Sequence, residues 1–311
     1  MLIKTILPTF QAVPASGIAG TATVELPLGR RYHAVWLEFT CNGTGAANVS
    51  NGNGTNLAAT IANAVTDIRV KLNGHVQRIS TGVQLNAINE SLGAAYAAQA
   101  TGTAGTATYL LKLPIFFAER WRKSTVEQDL PAWNVDRGQE SFTIEVDVNA
   151  TYLDTASTPA VQNVLMALAG FYEWEPLTGK LGAVTKWFRQ TYSATGSQND
   201  FSLKERDGFL QSIHLFNTSD GKFVNKVKLT ANGADVQDLL TVFQNSSLLK
   251  GAGLNPDFSA APRFDLVLDY DDPLNSALQL NGLSDLTMQA QYSATAAGSL
   301  PCIFVRAGRP E

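Results

Sequence analysis

Alternating apolar and polar residues at 65–72 predict a half-buried β-strand, because successive strand side chains point to opposite faces. Asn73-Gly74 follows and suits a two-residue type I′ turn, since both residues tolerate a positive φ. Residues 75–79 predict the returning strand. Apolar residues within 83–92 recur at helical spacing and end at Gly93, so this stretch predicts a strand–turn–strand–helix unit.

The same order of elements recurs in the second half of the chain. Residues 223–229 predict a strand, Asn232-Gly233 predicts a turn, and residues 239–249 predict a second helix that includes Leu239 and Leu240. The tripeptide Val70-Lys71-Leu72 is matched by Val227-Lys228-Leu229. A supersecondary pattern that is carried twice indicates a duplicated domain.

Further strands are predicted on both sides of each unit. They cover residues 21–26, 32–40, 109–117, 142–148 and 161–174 in the first half, and 201–203, 209–216, 264–270, 283–292 and 302–305 in the second. Residues 1–20 predict an arm or an outer strand. Each half thus offers about eight short strands with one helix. We therefore expect an all-β fold of two tandem eight-stranded jelly rolls, a double jelly roll, each with a short inserted helix.

The expected linker is the segment 175–179, whose sequence is Glu-Pro-Leu-Thr-Gly. Residues 1–178 would form the first jelly roll and residues 179–311 the second. The first is longer because two loops rich in Asn, Gly, Thr and Ala, residues 42–64 and 93–108, are expanded. Loops of this length are often functional, and we expect both at the same end of the first sandwich.

Composition narrows the function classes. The net charge is −4 and the densest basic stretch, residues 120–123, is short, so sequence-specific nucleic-acid binding is not expected. The best apolar run, residues 164–172, is shorter than the roughly 20 residues of a membrane-spanning helix. Cys41 and Cys302 are far apart in sequence, and we expect free thiols rather than a disulfide framework.

Catalytic and metal-binding motifs are missing from the sequence. His33, His75 and His214 do not lie at metal-ligand spacing, and neither cysteine supports such a site. There is no nucleophile elbow, phosphate loop or dinucleotide fingerprint. We therefore expect no enzyme activity, no catalytic or metal residues, and no cofactor.

One acidic group is the exception: Asp265, Asp269, Asp271 and Asp272. Carboxylates at the end of a sandwich strand can bind calcium or act as a pair in glycoside hydrolysis. Asp265 and Asp269 share one face of a predicted strand, whereas Asp271 and Asp272 enter a turn before Pro273. Turn chemistry explains the latter pair; ion binding by the group stays open at this point.

The duplicated halves, with a helix after the hairpin in each, resemble the double jelly-roll major capsid proteins of icosahedral viruses, especially lipid-containing bacteriophages. Leu130-Pro131-Ala132-Trp133, followed by the strand at Phe142, is also similar to such proteins. The resemblance implies no catalytic residues. It implies that both jelly rolls stand upright and that three copies form a pseudo-hexagonal capsomer. Such capsomers tile an icosahedral shell, often over an internal membrane.

The expected function is therefore that of a viral major capsid protein in the virion, assembled in the host cytoplasm. Expected partners are further copies in a homotrimer, neighbouring capsomers, other capsid proteins and, peripherally, an internal viral membrane. Pro114 and Phe116-Phe117 predict an edge strand that a partner copy would cover. The alternatives are a β-sandwich glycosidase and a carbohydrate- or receptor-binding spike or adhesin. The binding protein would stack sugars on Trp36, Trp121, Trp133, Trp174 and Trp187.

Overall fold

The computed structural model describes residues 2–13, 19–43, 65–92, 99–101, 107–149, 153–154, 161–162, 164–204, 207–216, 224–256, 263–269 and 277–310. The first elements are β1 (Ile3–Ile6), β2 (Gly20–Glu25), β3 (Arg30–Gly43), β4 (Val65–Leu72), β5 (His75–Ser80), α1 (Gly82–Ser91), β6 (Gln99–Thr101), β7 (Ala107–Phe116), α2 (Thr125–Asp129), β8 (Trp133–Val135), β9 (Phe142–Val148), β10 (Leu153–Asp154), β11 (Val161–Gln162) and β12 (Val164–Glu175). They are followed by β13 (Val184–Ser202), β14 (Phe209–Phe216), β15 (Val224–Ala231), β16 (Ala234–Thr241), α3 (Val242–Gly251), β17 (Arg263–Val267), β18 (Leu278–Gln279) and β19 (Leu286–Gly308).

Two compact units divide the chain. Unit 1 consists of residues 1–90, 94–184 and 310–311, and unit 2 of residues 91–93 and 185–309. Strands dominate both, which confirms the expected all-β class. The number of eight strands per jelly roll and the boundary at 178/179 stay predictions.

Unit 1 contains two large antiparallel sheets and the short antiparallel pair β10-β11, and its core includes large side chains. One sheet has the order β1-β12-β3-β7-β6, with β8 also paired to β3, and the other has the order β5-β4-β9-β2. Along β9 buried and half-buried residues alternate without exception, as the sequence predicts. The Tyr32 ring on β3 lies 5.0 Å from the Phe142 ring on β9 and 5.5 Å from that of Tyr172. These three aromatic side chains are buried and belong to the unit 1 core.

In unit 2 the long last strand, β19, pairs with different strands along its length. The first part of β19 pairs with β15 and the later part pairs with β14. Residues 283–292 and 302–305, predicted as two strands, therefore belong largely to one strand of 23 residues. The core includes Val227 and Leu229 from β15, Phe264 from β17, and Met288 and Phe304 from β19.

The two hairpins are equivalent, as the sequence predicts. Strands β4 and β15 have eight residues each and the same succession of buried, half-buried and exposed positions. Asn73 and Gly74 have φ values of 52° and 79°, and Asn232 and Gly233 have 48° and 78°. Both turns are thus left-handed at both residues, as a type I′ turn requires.

The side chain of each turn asparagine also accepts a hydrogen bond from the segment that precedes the neighbouring strand. The Glu140 backbone N–H donates to Asn73 Oδ1 at 2.8 Å, and the Ser284 backbone N–H donates to Asn232 Oδ1 at 2.9 Å. The same local device therefore occurs once in each unit, which supports duplication more strongly than the residue matches do.

Helices α1 and α3 both begin with a capping box, in which a threonine and a glutamine each accept a hydrogen bond from the other's backbone N–H. The Gln84 N–H donates to Thr81 Oγ1 at 3.1 Å, and the Thr81 N–H donates to Gln84 Oε1 at 3.0 Å. Thr241 and Gln244 form the same pair at 3.2 Å and 3.0 Å. The capping residues show where each helix begins.

Two details of the predicted repeat are wrong. Leu239 and Leu240 belong to strand β16, because the Thr241 cap starts the helix only at Val242. The two Val-Lys-Leu tripeptides are out of register by two positions, since the aligned turns place Val70 opposite Leu229. Most of the loops 42–64 and 93–108 lies outside the described residues, so their common location stays a prediction.

Candidate functional site

Asp265 is the centre of a buried polar cluster in unit 2. Antiparallel pairing of β14 with β17 places His214 directly opposite Asp265, so their side chains share one face of the sheet. His214 Nδ1 lies 2.7 Å from Asp265 Oδ1, and His214 Nε2 lies 3.0 Å from Ser212 Oγ. Arg263 Nε donates to Asp265 Oδ2 at 2.7 Å. We call these four residues the Asp265 cluster.

The order Ser212–His214–Asp265 is that of a hydrolytic triad, but its surroundings favour a structural role. All members of the Asp265 cluster are buried, so a substrate cannot reach the serine hydroxyl in this arrangement. Burial opposes ionisation of Asp265, yet Arg263 and His214 hold its pKa below the ordinary value. The cluster is thus a charge-paired network that joins β14 to β17.

Of the predicted acidic group, the structure describes only Asp265 and Asp269, and their side chains have different partners. Asp265 is committed to His214 and Arg263, while Asp269 accepts a hydrogen bond from Gln211 Nε2 at 3.1 Å. Asp271 and Asp272 lie outside the described residues. Across the described ranges, no group of three or more His, Cys, Asp or Glu side chains could hold a metal ion.

The other histidines differ in their surroundings. His33 is buried in β3, with Nε2 3.1 Å from Glu175 Oε1 and Nδ1 3.4 Å from Asp129 Oδ1. Burial raises the pKa of Glu175, but hydrogen bonds from His33 and Arg31 outweigh it and leave the pKa lowered. His75 is exposed at the start of β5. Asp129 and Glu175 are distant from His33 in sequence, so residue spacing could not reveal these contacts.

Three of the five tryptophans make ring contacts or are buried within the chain. None of the five is exposed, and Trp133 is buried in the unit 1 core. Trp36 stacks on Phe171 at 5.5 Å, and the Arg30 guanidinium lies 4.2 Å from the Trp174 ring centre. The ring faces of these three tryptophans are therefore largely taken up by contacts within the chain.

The strand β7 needs no partner copy along its carboxyl-terminal part. Phe116 and Phe117 are buried within the chain, contrary to the expectation that another copy covers them. Asn89 Nδ2 donates to the Pro114 carbonyl at 2.9 Å, and Arg78 Nη1 donates to the Phe116 carbonyl at 2.5 Å. Side chains from α1 and β5 thus satisfy carbonyl groups of this strand, which removes one argument for an oligomer.

Apolar side chains are exposed at other places. The most exposed large ones in the described part of the chain are Ile6, Val126, Leu130, Phe243 and Leu248. Within that part, no helix combines the length and the apolar character needed to cross a membrane. Exposed apolar residues of this kind are candidates for contacts with other proteins.

Comparisons with known proteins identify the family. A family model described as the viral coat protein P2 N-terminal domain matches residues 5–169, which is more than half of the chain. No curated protein gives a significant match. Among solved structures, the major capsid protein P2 from bacteriophage PM2 is 15% identical with a TM-score of 0.73, covering 99% of this chain and 97% of that one.

Two further structures share the fold at lower identity. The STIV MCP is 11% identical with a TM-score of 0.66, covering 100% of this chain and 97% of that one. The Faustovirus major capsid protein is 6% identical with a TM-score of 0.66, covering 99% and 90%. The chain therefore belongs to the viral coat protein P2 family and is a viral major capsid protein with the double jelly-roll fold.

Proposed function

We propose that three copies of this chain form a pseudo-hexagonal capsomer and that such capsomers tile an icosahedral shell. The observation that carries the proposal is the duplication, with equivalent turns at Asn73-Gly74 and Asn232-Gly233. Three chains with two similar units each would place six units around a threefold axis. A contact between the first jelly roll of one copy and the second of the next is heterologous, and it closes on itself after three copies.

Association in this trimer rests on apolar burial. Phe243 and Leu248 in unit 2, and Ile6, Val126 and Leu130 in unit 1, supply exposed apolar surface for such contacts. An obligate interface of roughly 2,000 Å² or more is held mainly by the hydrophobic effect. We therefore expect the trimer to persist in high salt, which screens surface charges.

In this proposal the chain is a structural component of the virion and not an enzyme. Its two jelly rolls, residues 1–178 and 179–311, would contact neighbouring capsomers and other capsid proteins, and peripherally an internal viral membrane. Assembly would take place in the host cytoplasm. The net charge of −4 gives no support for sequence-specific nucleic-acid binding.

Light scattering on the purified protein at about 0.1 M and about 1 M salt tests the proposal. The expected mass is about 100 kDa under both conditions, three times the 33.4 kDa of the chain. A monomer at micromolar concentration in both salts would contradict the capsomer. A trimer that dissociates only at high salt would contradict apolar burial as its main cause.

A further inference from the structure

The helices α1 and α3 occupy equivalent positions but differ in what covers them. Their capping threonines, Thr81 and Thr241, are 160 positions apart, so Ile88 is equivalent to Leu248. Ile88 is 1% exposed, whereas Leu248 is 48% exposed. The apolar residue is thus kept in both repeats, although only the first repeat buries it within the chain.

The difference extends along one stripe of the helix. Gln84, Ile88 and Ser91 have the spacing i, i+4 and i+7, which places them on one face, and all three are buried. The equivalent stripe on α3, residues 244, 248 and 251, is exposed. By contrast, Leu249 on α3 is buried, so the helix is seated on its own unit as α1 is. A change from buried on α1 to exposed on α3 is therefore confined to the stripe of residues 244, 248 and 251.

We propose that in the capsomer a second copy of this chain covers the Gln244–Leu248 face of α3, meaning the stripe of residues 244, 248 and 251. The inference rests on the proposed trimer and adds the surface through which it forms. In a closed ring of duplicated chains, equivalent surfaces of the two repeats receive similar cover. The cover that the first repeat has within the chain would reach the second repeat from the next copy.

The neighbouring strand provides a matched control position. His75 on β5 pairs with Leu72 and Ala234 on β16 pairs with Ala231, so the two residues are equivalent, and both are exposed. Because the first repeat leaves this position exposed, we expect the trimer to leave Ala234 exposed too. Leu248 and Ala234 are therefore both accessible in the single chain, but only Leu248 should be buried on association.

The experiment compares Leu248→Asp with Ala234→Asp by sedimentation equilibrium over a range of protein concentrations. Leu248→Asp should weaken association at least about 30-fold, as removal of an interface hot spot does. Ala234→Asp should change it by less than about twofold. Phe243→Asp is a second test variant on the same helix, because Phe243 is 69% exposed in the single chain. Circular dichroism should show all three variants folded.

Each outcome bears on a different claim. The proposed surface is supported if the parent protein is a trimer, Leu248→Asp weakens association and Ala234→Asp leaves it unchanged. The proposal is overturned if the parent protein is a trimer and Leu248→Asp does not weaken it, including the case in which another capsid protein covers this helix. Equal weakening by Leu248→Asp and Ala234→Asp also overturns it. A monomeric parent protein contradicts the capsomer itself.

Discussion

Replacing Asp265 by asparagine should destabilise unit 2 more than any exposed charge change. The substitution removes the carboxylate that lies 2.7 Å from both Arg263 Nε and His214 Nδ1. The asparagine amide can still accept a hydrogen bond, but it removes the negative charge that pairs with the buried Arg263 guanidinium. Removing one member of a buried ion pair costs about 3–5 kcal/mol. That is a large part of a total stability of about 5–15 kcal/mol.

The assay is urea unfolding of the purified protein, with Asp235→Asn as the control. Asp235 pairs with Lys228 at 2.9 Å on the surface of the same unit. Because exposed ion pairs contribute little, the control should unfold at the urea concentration of the parent protein. A loss below about 1 kcal/mol for Asp265→Asn would refute the charge-paired account of the Asp265 cluster.

The pH dependence gives a second check on the same cluster. The folded-state pKa of Asp265 lies below its ordinary value, which is about 4. Its contribution to stability is therefore fully present above about pH 4 and is lost as the pH falls through the folded-state pKa. The difference in unfolding free energy between the parent protein and Asp265→Asn should therefore become smaller as the pH falls below about 4. A constant difference from pH 7 to pH 3 would contradict this assignment.

Two further predictions concern local features. Asn73→Ala and Asn232→Ala should each cost about 1–2 kcal/mol in urea unfolding, because alanine resists the positive φ and loses the side-chain hydrogen bond. Glycine at either position should recover only part of the loss; full recovery would show that the hydrogen bond contributes nothing. The Cys302 thiol is buried, and burial raises its pKa, so it should react with a thiol reagent only after unfolding. Rapid modification of Cys302 in the folded protein would contradict its placement.

Local patterns predict the hairpins well, because turn chemistry and alternation act over a few residues. The Asn-Gly turns and the strand β9 follow directly from such patterns. Strand β13 does not, since its residues 190–200 are mostly polar and many of them are exposed. Its placement depends on pairing with β19, which is distant in sequence.

Local sequence patterns likewise could not predict the side-chain contacts of the Asp265 cluster. Sequence analysis singles out Asp265 through the neighbouring aspartates and treats His214 as an isolated histidine. Their contact spans 51 positions and depends on the register of β14 against β17. Likewise, a period-3.6 pattern could not place Leu239 and Leu240, because only the Thr241 capping box sets the start of the helix. Pairing partners and element boundaries therefore required the structure.

Negative-stain electron microscopy of the purified protein tests the central claim most directly. If three copies of the double jelly roll form a capsomer, class averages viewed down the symmetry axis should show a hexagonal outline with threefold symmetry. Particles of a single chain, or particles with only twofold symmetry, would contradict the capsomer.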